Sequence, residues 1–142
     1  MELILLQWWS PEVRPDHSQD EYWDQMIHPE DLNFVSKEKF NTSIFLHLNN
    51  DGEYLVLSDL KNEFRVKPIC TRKVKYEGFS LNDNVETIPN EGKNTKREGR
   101  IISMFYHYKD ECIIYQISDQ TGNILKKQYR KSDLKKTNAN KG

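Results

Sequence analysis

No run in this chain approaches the ~20 consecutive apolar residues that a membrane-spanning helix requires, and the mean hydropathy of -0.86 agrees with that absence. The apolar opening Leu3-Ile4-Leu5-Leu6 is too short for a signal-peptide core and follows Glu2 with no basic residue before it. The expectation is a protein that stays in the cytoplasm. Cysteine is scarce: only Cys70 and Cys112 are present, far apart, and they read as reduced core thiols rather than as a disulfide framework. His17, His28, His47 and His107 are scattered, with no C-x-x-C, H-E-x-x-H or H-x₃-H spacing, so no metal and no cofactor is expected. Phosphate-cradling G-x-x-x-x-G-K-[ST] and G-x-G-x-x-G are missing, as is the nucleophile elbow G-x-S-x-G. Cys70 with a distant histidine is a weak nucleophile candidate, since only Arg72 and Lys73 lie near it to stabilise a thiolate. The expectation is therefore not an enzyme.

Neither sign of charge dominates, with 21 Lys and Arg against 22 Asp and Glu, and this excludes a uniformly basic nucleic-acid binder. The balance is uneven along the chain. Residues 1–79 carry 9 bases against 14 acids, a net of −5, and residues 80–142 carry 12 against 8, a net of +4. Such asymmetry points to two surfaces with different partners, unless the fold interleaves the charges.

What the chain does have is aromatic residues and short apolar alternations. Leu3 to Trp9 reads as a strand ended by Ser10-Pro11. Ile27-His28-Pro29-Glu30-Asp31-Leu32 reads as a helix start, with Pro29 at the first helical position, two acids facing the positive end of the dipole, and Ile27 and Leu32 at the positions of a hydrophobic staple. The apolar stripe predicts one helix to about Phe40. From Ser43 the period becomes two: Ile44 to Leu48, the turn Asn49-Asn50-Asp51-Gly52, and Tyr54 to Leu57 predict a hairpin. Phe64 and Val66 alternate with Arg65 and Lys67, which puts the apolar pair inward. Lys73 to Tyr76 predicts a further short strand. After Gly78, short strands at Asn84–Ile88, Arg100–Tyr108, Cys112–Ser118 and Ile124–Tyr129 are separated by Gly/Asn turns, and residues 138–142 read as a disordered tail.

The order Leu81-Asn82-Asp83-Asn84-Val85, Gly99-Arg100-Ile101-Ile102, Ile113-Ile114-Tyr115-Gln116-Ile117 and Tyr129-x-x-Ser132-Asp133-Leu134 resembles an SH3-like barrel of the Tudor or KOW kind. Together with Trp8-Trp9, His28 to Leu32 and Asp51 to Tyr54, the whole chain resembles members of a bacterial domain family of unknown function, a resemblance that implies no activity and no active site. The fold expected is mainly β (α+β): a small N-terminal sheet with one helix over residues 1–79, an SH3-like five-stranded barrel over 80–137, and the tail.

Function is expected to be recognition. Adjacent tryptophans on one strand point to opposite faces, so Trp8 and Trp9 are both buried only if the sheet is covered twice. The candidate partner-binding residues are Trp8, Trp9, Tyr22 and Trp23 in the first part and Arg100, Tyr106, Tyr108 and Tyr129 in the second. An acidic N-terminal half suits a basic protein partner, as in an immunity-type inhibitor of a toxin. The alternative is a nucleic-acid-binding accessory protein using Lys126-Lys127, Arg130-Lys131 and Lys135-Lys136 around Tyr129.

Overall fold

The computed structural model describes residues 2–6, 26–32, 42–88 and 96–137. The chain divides into two compact units, Met1–Lys75 and Tyr76–Gly142. The division precedes Gly78 because Tyr76 and Glu77 bond into the second unit: the Tyr76 hydroxyl contacts Lys136 Nζ at 3.3 Å, and Glu77 accepts from the Tyr115 hydroxyl at 2.9 Å. Trp8, Trp9, Tyr22 and Trp23, the helix expected after residue 32 and the expected tail lie outside the described residues.

The first unit is a five-stranded antiparallel sheet in the order β4-β3-β2-β1-β5. Its strands are β1 (Leu3–Leu6), β2 (Ile44–Asp51), β3 (Tyr54–Ser58), β4 (Glu63–Val66) and β5 (Thr71–Val74). β1 sits between β2 and β5, and all four of its residues are buried. Alternation then requires both faces of the sheet to be covered at that strand. One face carries the core of Ile4, Leu6, Phe45, Leu57, Phe64 and Val66, with Ile27 and Cys70 packed into it. Each such fully buried side chain contributes about 1.5–3 kcal/mol of transfer free energy. Phe64 and Val66 point inward at 1% and 0% exposure, as their alternation with Arg65 and Lys67 demands.

Local chemistry explains where the expectations shift. Asp51 pairs directly with Tyr54, so the hairpin loop is Gly52-Glu53 and the turn spans 51–54, two residues later than the expected 49–52, with Gly52 at φ +60°. A bulge between His47 and Asn49 shifts the register by one residue before the turn. The turn Pro29–Asp31 is a 3-10 turn whose entry is capped by His28, its Nδ1 accepting from the Glu30 N–H at 3.0 Å. Leu32 is exposed while Ile27 is buried, so the expected staple is absent and Ile27 serves the core. A 3-10 turn advances three residues per turn and does not bring the two onto one stripe.

The second unit is a four-stranded antiparallel sheet in the order β8-β7-β6-β9. Its strands are β6 (Asn84–Thr87), β7 (Glu98–His107), β8 (Cys112–Ser118) and β9 (Leu134–Lys136). The expected closed five-stranded barrel is instead an open sheet. The segment that was to be its fourth strand, Ile124–Tyr129, meets β8 only at two isolated bridges, Ser118 with Ile124 and Tyr115 with Tyr129. Three steps of β8 thus face five steps of the partner, and Lys126-Lys127 lie within the excess. Tyr115, Ile113, Ile117, Ile101, Met104, Val85 and Leu134 form the inner face, all at 3% exposure or less. The Phe79 ring meets Tyr115 edge-on at 5.5 Å. Among the described residues the only helical segments of this unit and of the first beyond Met26 are 3-10 turns of three residues, Pro29–Asp31, Pro68–Cys70 and Lys131–Asp133.

Candidate functional site

Two clefts carry the polar chemistry, one in each unit. In the first unit, residues 26–31 run along the outer edge of β4: Lys67 N–H donates to Met26 O at 2.7 Å and His28 N–H to Arg65 O at 3.0 Å. The His28 carbonyl, which would accept the next rung from Arg65, accepts instead from Asp31 N–H at 2.8 Å. The 3-10 turn then swings Asp31 back, and its Oδ2 accepts from both the backbone N–H of Arg65 at 2.8 Å and its Nε at 3.1 Å. Glu30 at 3.9 Å and Asp51 at 3.5 Å complete the surroundings of the guanidinium. The hydrogen bond that Arg65 donates to Asp31, backed by the charges of Asp31 and Glu30, raises the Arg65 pKa above its ordinary value. Beside this anchor lies a cleft of about 530 Å³ lined by Asn50, Asp51, Glu63 and Arg65 among others. Asp51 and Glu63 line it and are exposed, as is Glu30 beside the guanidinium, while Glu53 at the hairpin loop pairs with Lys67 at 3.6 Å.

In the second unit Lys96, Arg130, Lys135 and Lys136 are held by carboxylates. Glu86, on β6, is buried and is held by Lys96 and Lys135, each at 2.9 Å. These two hydrogen bonds hold its carboxyl below the usual range. Lys136 contacts Asp83 at 3.6 Å and Arg130 contacts Asp110 at 2.6 Å. A cleft of about 350 Å³ crosses the end of the sheet, lined by Glu98, Arg100, Ser118 and Asp119 among others. A neighbouring one of about 680 Å³ shares Glu98 and Asp119 and adds Lys96 and Arg97.

The sequence-derived candidates separate on this framework. Arg100 is exposed on β7 opposite Ser118 and Asn84. Tyr106 is six residues further along the strand, about 20 Å at 3.4 Å per residue. It also lies on the other face. Ile101 pairs with Ile117 but Ser103 pairs with Gln116, so Ile102 is an extra residue and the alternation reverses. Met104 and Tyr106 therefore share the inner face with Ile101, whereas Arg100 faces outward. Tyr106 and exposed Tyr108 meet edge to face at 5.1 Å beyond the inner core. Tyr129 is 6% exposed, fixed by two backbone bonds to Tyr115 at 2.7 and 3.0 Å, and is covered by Lys127 at 5.5 Å. It is a core residue and not a surface platform.

Residues 16–135 match the model of a family described as a family of unknown function (DUF6960). The chain belongs to this family. The matched span takes in strands of both units and the Asp31, Arg65, Glu98 and Arg100 side chains. No curated protein and no solved structure matches the chain. The family description carries no activity, so the chemistry of the two clefts is the available guide.

Several groups on these surfaces were not evident from sequence. Arg65 read only as an outward base and Asp31 only as a helix-start acid; 34 residues separate them and no local pattern joins them. Glu98 and Asp119 carried no signal either. Among the described residues no three His, Cys, Asp or Glu side chains are placed to hold a metal ion, and no helix is long and apolar enough to cross a membrane. Cys70 is buried, and desolvation pushes its thiol up to about 12, while Cys112 is half-buried on the outer face of β8 and not a core thiol as expected.

Proposed function

We propose that this protein is a non-enzymatic binding module that recognises another protein through the acidic end of its first unit. The observation that carries this reading is the Asp31–Arg65 anchor with exposed Glu30 and Asp51 at 3.9 and 3.5 Å from its guanidinium and exposed Glu63 lining the same cleft. An anchored arginine with exposed carboxylates suits a basic partner surface, where complementary charge sets orientation and speeds encounter. Action as an immunity-type inhibitor of a toxin, in a cytoplasm that keeps both thiols reduced, belongs to the same proposal. Residues 1–75 carry 9 bases against 13 acids and residues 76–142 carry 12 against 9, so the polarity of charge follows the two units.

The second unit is read as a relative of SH3-like barrels that stays open. Support comes from its path: β6, β7 and β8 in succession, a segment along the outer edge of β8, a 3-10 turn at Lys131–Asp133, and a last strand beside β6. Nucleic-acid binding by this unit is the weaker alternative, because Lys96, Lys135, Lys136 and Arg130 are held by Glu86, Asp83 and Asp110 and Tyr129 is buried.

The test is affinity capture from native cells at graded salt, with the wild type beside a Glu30→Lys, Glu63→Lys double variant. The expected result is a stoichiometric basic protein that the variant, folded by circular dichroism, fails to retain. Capture of no stoichiometric protein overturns the proposal, as does RNA or DNA binding that falls steeply with salt and survives the double substitution.

A further inference from the structure

The cleft at the end of the second sheet has a charge arrangement that neither a plain anion nor a plain cation satisfies. Arg100, Asn84 and Ser118 are direct register partners across β7, β6 and β8, so their side chains share the outer face. Glu98 lies two residues before Arg100 on the same face, and Asp119 follows Ser118. Both acids are fixed in place. Glu98 accepts from Gln120 Nε2 at 3.0 Å, and Asp119 Oδ1 accepts from Thr121 N–H, Thr121 O–H and Asn123 N–H at 2.7–2.9 Å. Those bonds, led by the Thr121 hydroxyl, hold the Asp119 carboxyl below its ordinary range, so it stays charged at neutral pH. Among the described residues no carboxylate forms an ion pair with Arg100, although two line the same cleft.

An anion approaching Arg100 meets two carboxylates, and a cation approaching the carboxylates meets the guanidinium. A molecule with both charges meets each with its opposite. We propose that this cleft binds a small zwitterion of the amino-acid class, its carboxylate on Arg100 and Ser118 and its ammonium on Glu98 and Asp119. The dimensions agree. The ammonium nitrogen and carboxyl carbon of an amino acid are about 2.5 Å apart, and charge-assisted hydrogen bonds of about 2.8 Å at either end give a span of about 8 Å. Residues two apart on one strand face are about 6.8 Å apart at Cα, and both side chains are long enough to adjust. A cleft of about 350 Å³ lies within the size range of small-molecule sites. Guanidinium and carboxylate bring geometric selectivity as well as charge.

The experiment is an amide-resolved NMR titration of the full chain with alanine, and separately with acetate and with methylammonium. Alanine is expected to give saturating shifts at Gly99, Arg100, Ser118 and Gln120, and each one-charge probe is expected to bind at least tenfold more weakly. Arg100→Gln and Glu98→Gln are each expected to weaken alanine about tenfold while the remaining cross-peaks stay in place, and Arg100→Lys is expected to retain part of the binding. Equal binding of acetate alone, alanine binding untouched by Arg100→Gln, or no saturating shift with any probe each overturns the proposal. None of these outcomes depends on a protein partner of the first unit, so failure here is distinct from failure there.

Discussion

Tyr115→Phe isolates one buried hydrogen bond. The Tyr115 ring is fully buried and packs on Phe79, and the substitution keeps both features. Only the hydroxyl is lost, and with it the 2.9 Å bond to Glu77 Oε1. The other carboxylate oxygen keeps its contact with the Ile113 N–H at 3.4 Å. A hydrogen bond to a charged group contributes about 1.5–3 kcal/mol. Glu77 is half-buried and water can replace the hydroxyl, which favours the lower end, about 1.5 kcal/mol. Hydrogen exchange of the β7 and β8 amides reads this as roughly a tenfold faster opening. Exchange of the β2 and β3 amides in the other unit gives the reference signal.

The same substitution has a pH signature. Burial, followed by the Glu77 hydrogen bond and charge, raises the Tyr115 pKa well above its ordinary value of 10.0. The folded form keeps the phenol protonated while the unfolded chain ionises. Stability linked to this group is thus complete below about pH 10 and declines above it, by up to about 1.4 kcal/mol per pH unit. Tyr115→Phe is expected to remove that part of the alkaline decline. Unchanged exchange in β7 and β8, or an equally steep alkaline decline in the variant, refutes the reasoning.

Gly99→Ala is expected to be strongly destabilising, because its Cβ would fall 2.6 Å from Ile117 Cγ2 and into direct overlap with the Ser118 carbonyl oxygen. Overpacking of this kind costs about 1–3 kcal/mol or more, and a thermal melt checks it against Gly122→Ala, where the space is open and only the φ of +91° is strained. Glu86→Gln is expected to flatten the acid limb of stability. The Glu86 carboxyl is held low by Lys96 and Lys135, so its contribution is present above the usual carboxylate range near 4.5 and is lost as the pH falls. Melting temperatures from pH 3 to 6 test this, and a parallel wild-type and variant profile counts against it.

Legibility followed the range of the interaction. The strands of the first sheet could be read because Phe64 and Val66 alternate with Arg65 and Lys67, and that pattern is local. The hairpin turn lies two residues beyond its expected place because Asp-Gly signals a reversal without fixing which of its residues closes the ladder, and the Asp51–Tyr54 pair decides that. In β7 the period-two rule failed at Ile102, since a bulge depends on the partner strand and leaves no mark in the sequence of its own. The Arg100 and Tyr106 grouping failed with it. The open sheet has the same origin: Ile124 to Tyr129 has strand-like composition, yet its pairing is set by the offset with β8. The Asp31–Arg65 anchor and the Glu98–Arg100–Asp119 arrangement were legible only in three dimensions.

The carboxylate of Asp31 also bears on how the protein behaves among other proteins. By taking the Arg65 N–H it occupies a rung that an incoming strand would need, and Pro29 supplies no donor beside it. That margin of the sheet is closed to strand addition by a side chain. Resistance to edge-to-edge aggregation at this rung therefore rests on one acid and one proline, next to the backbone bonds of residues 26–28.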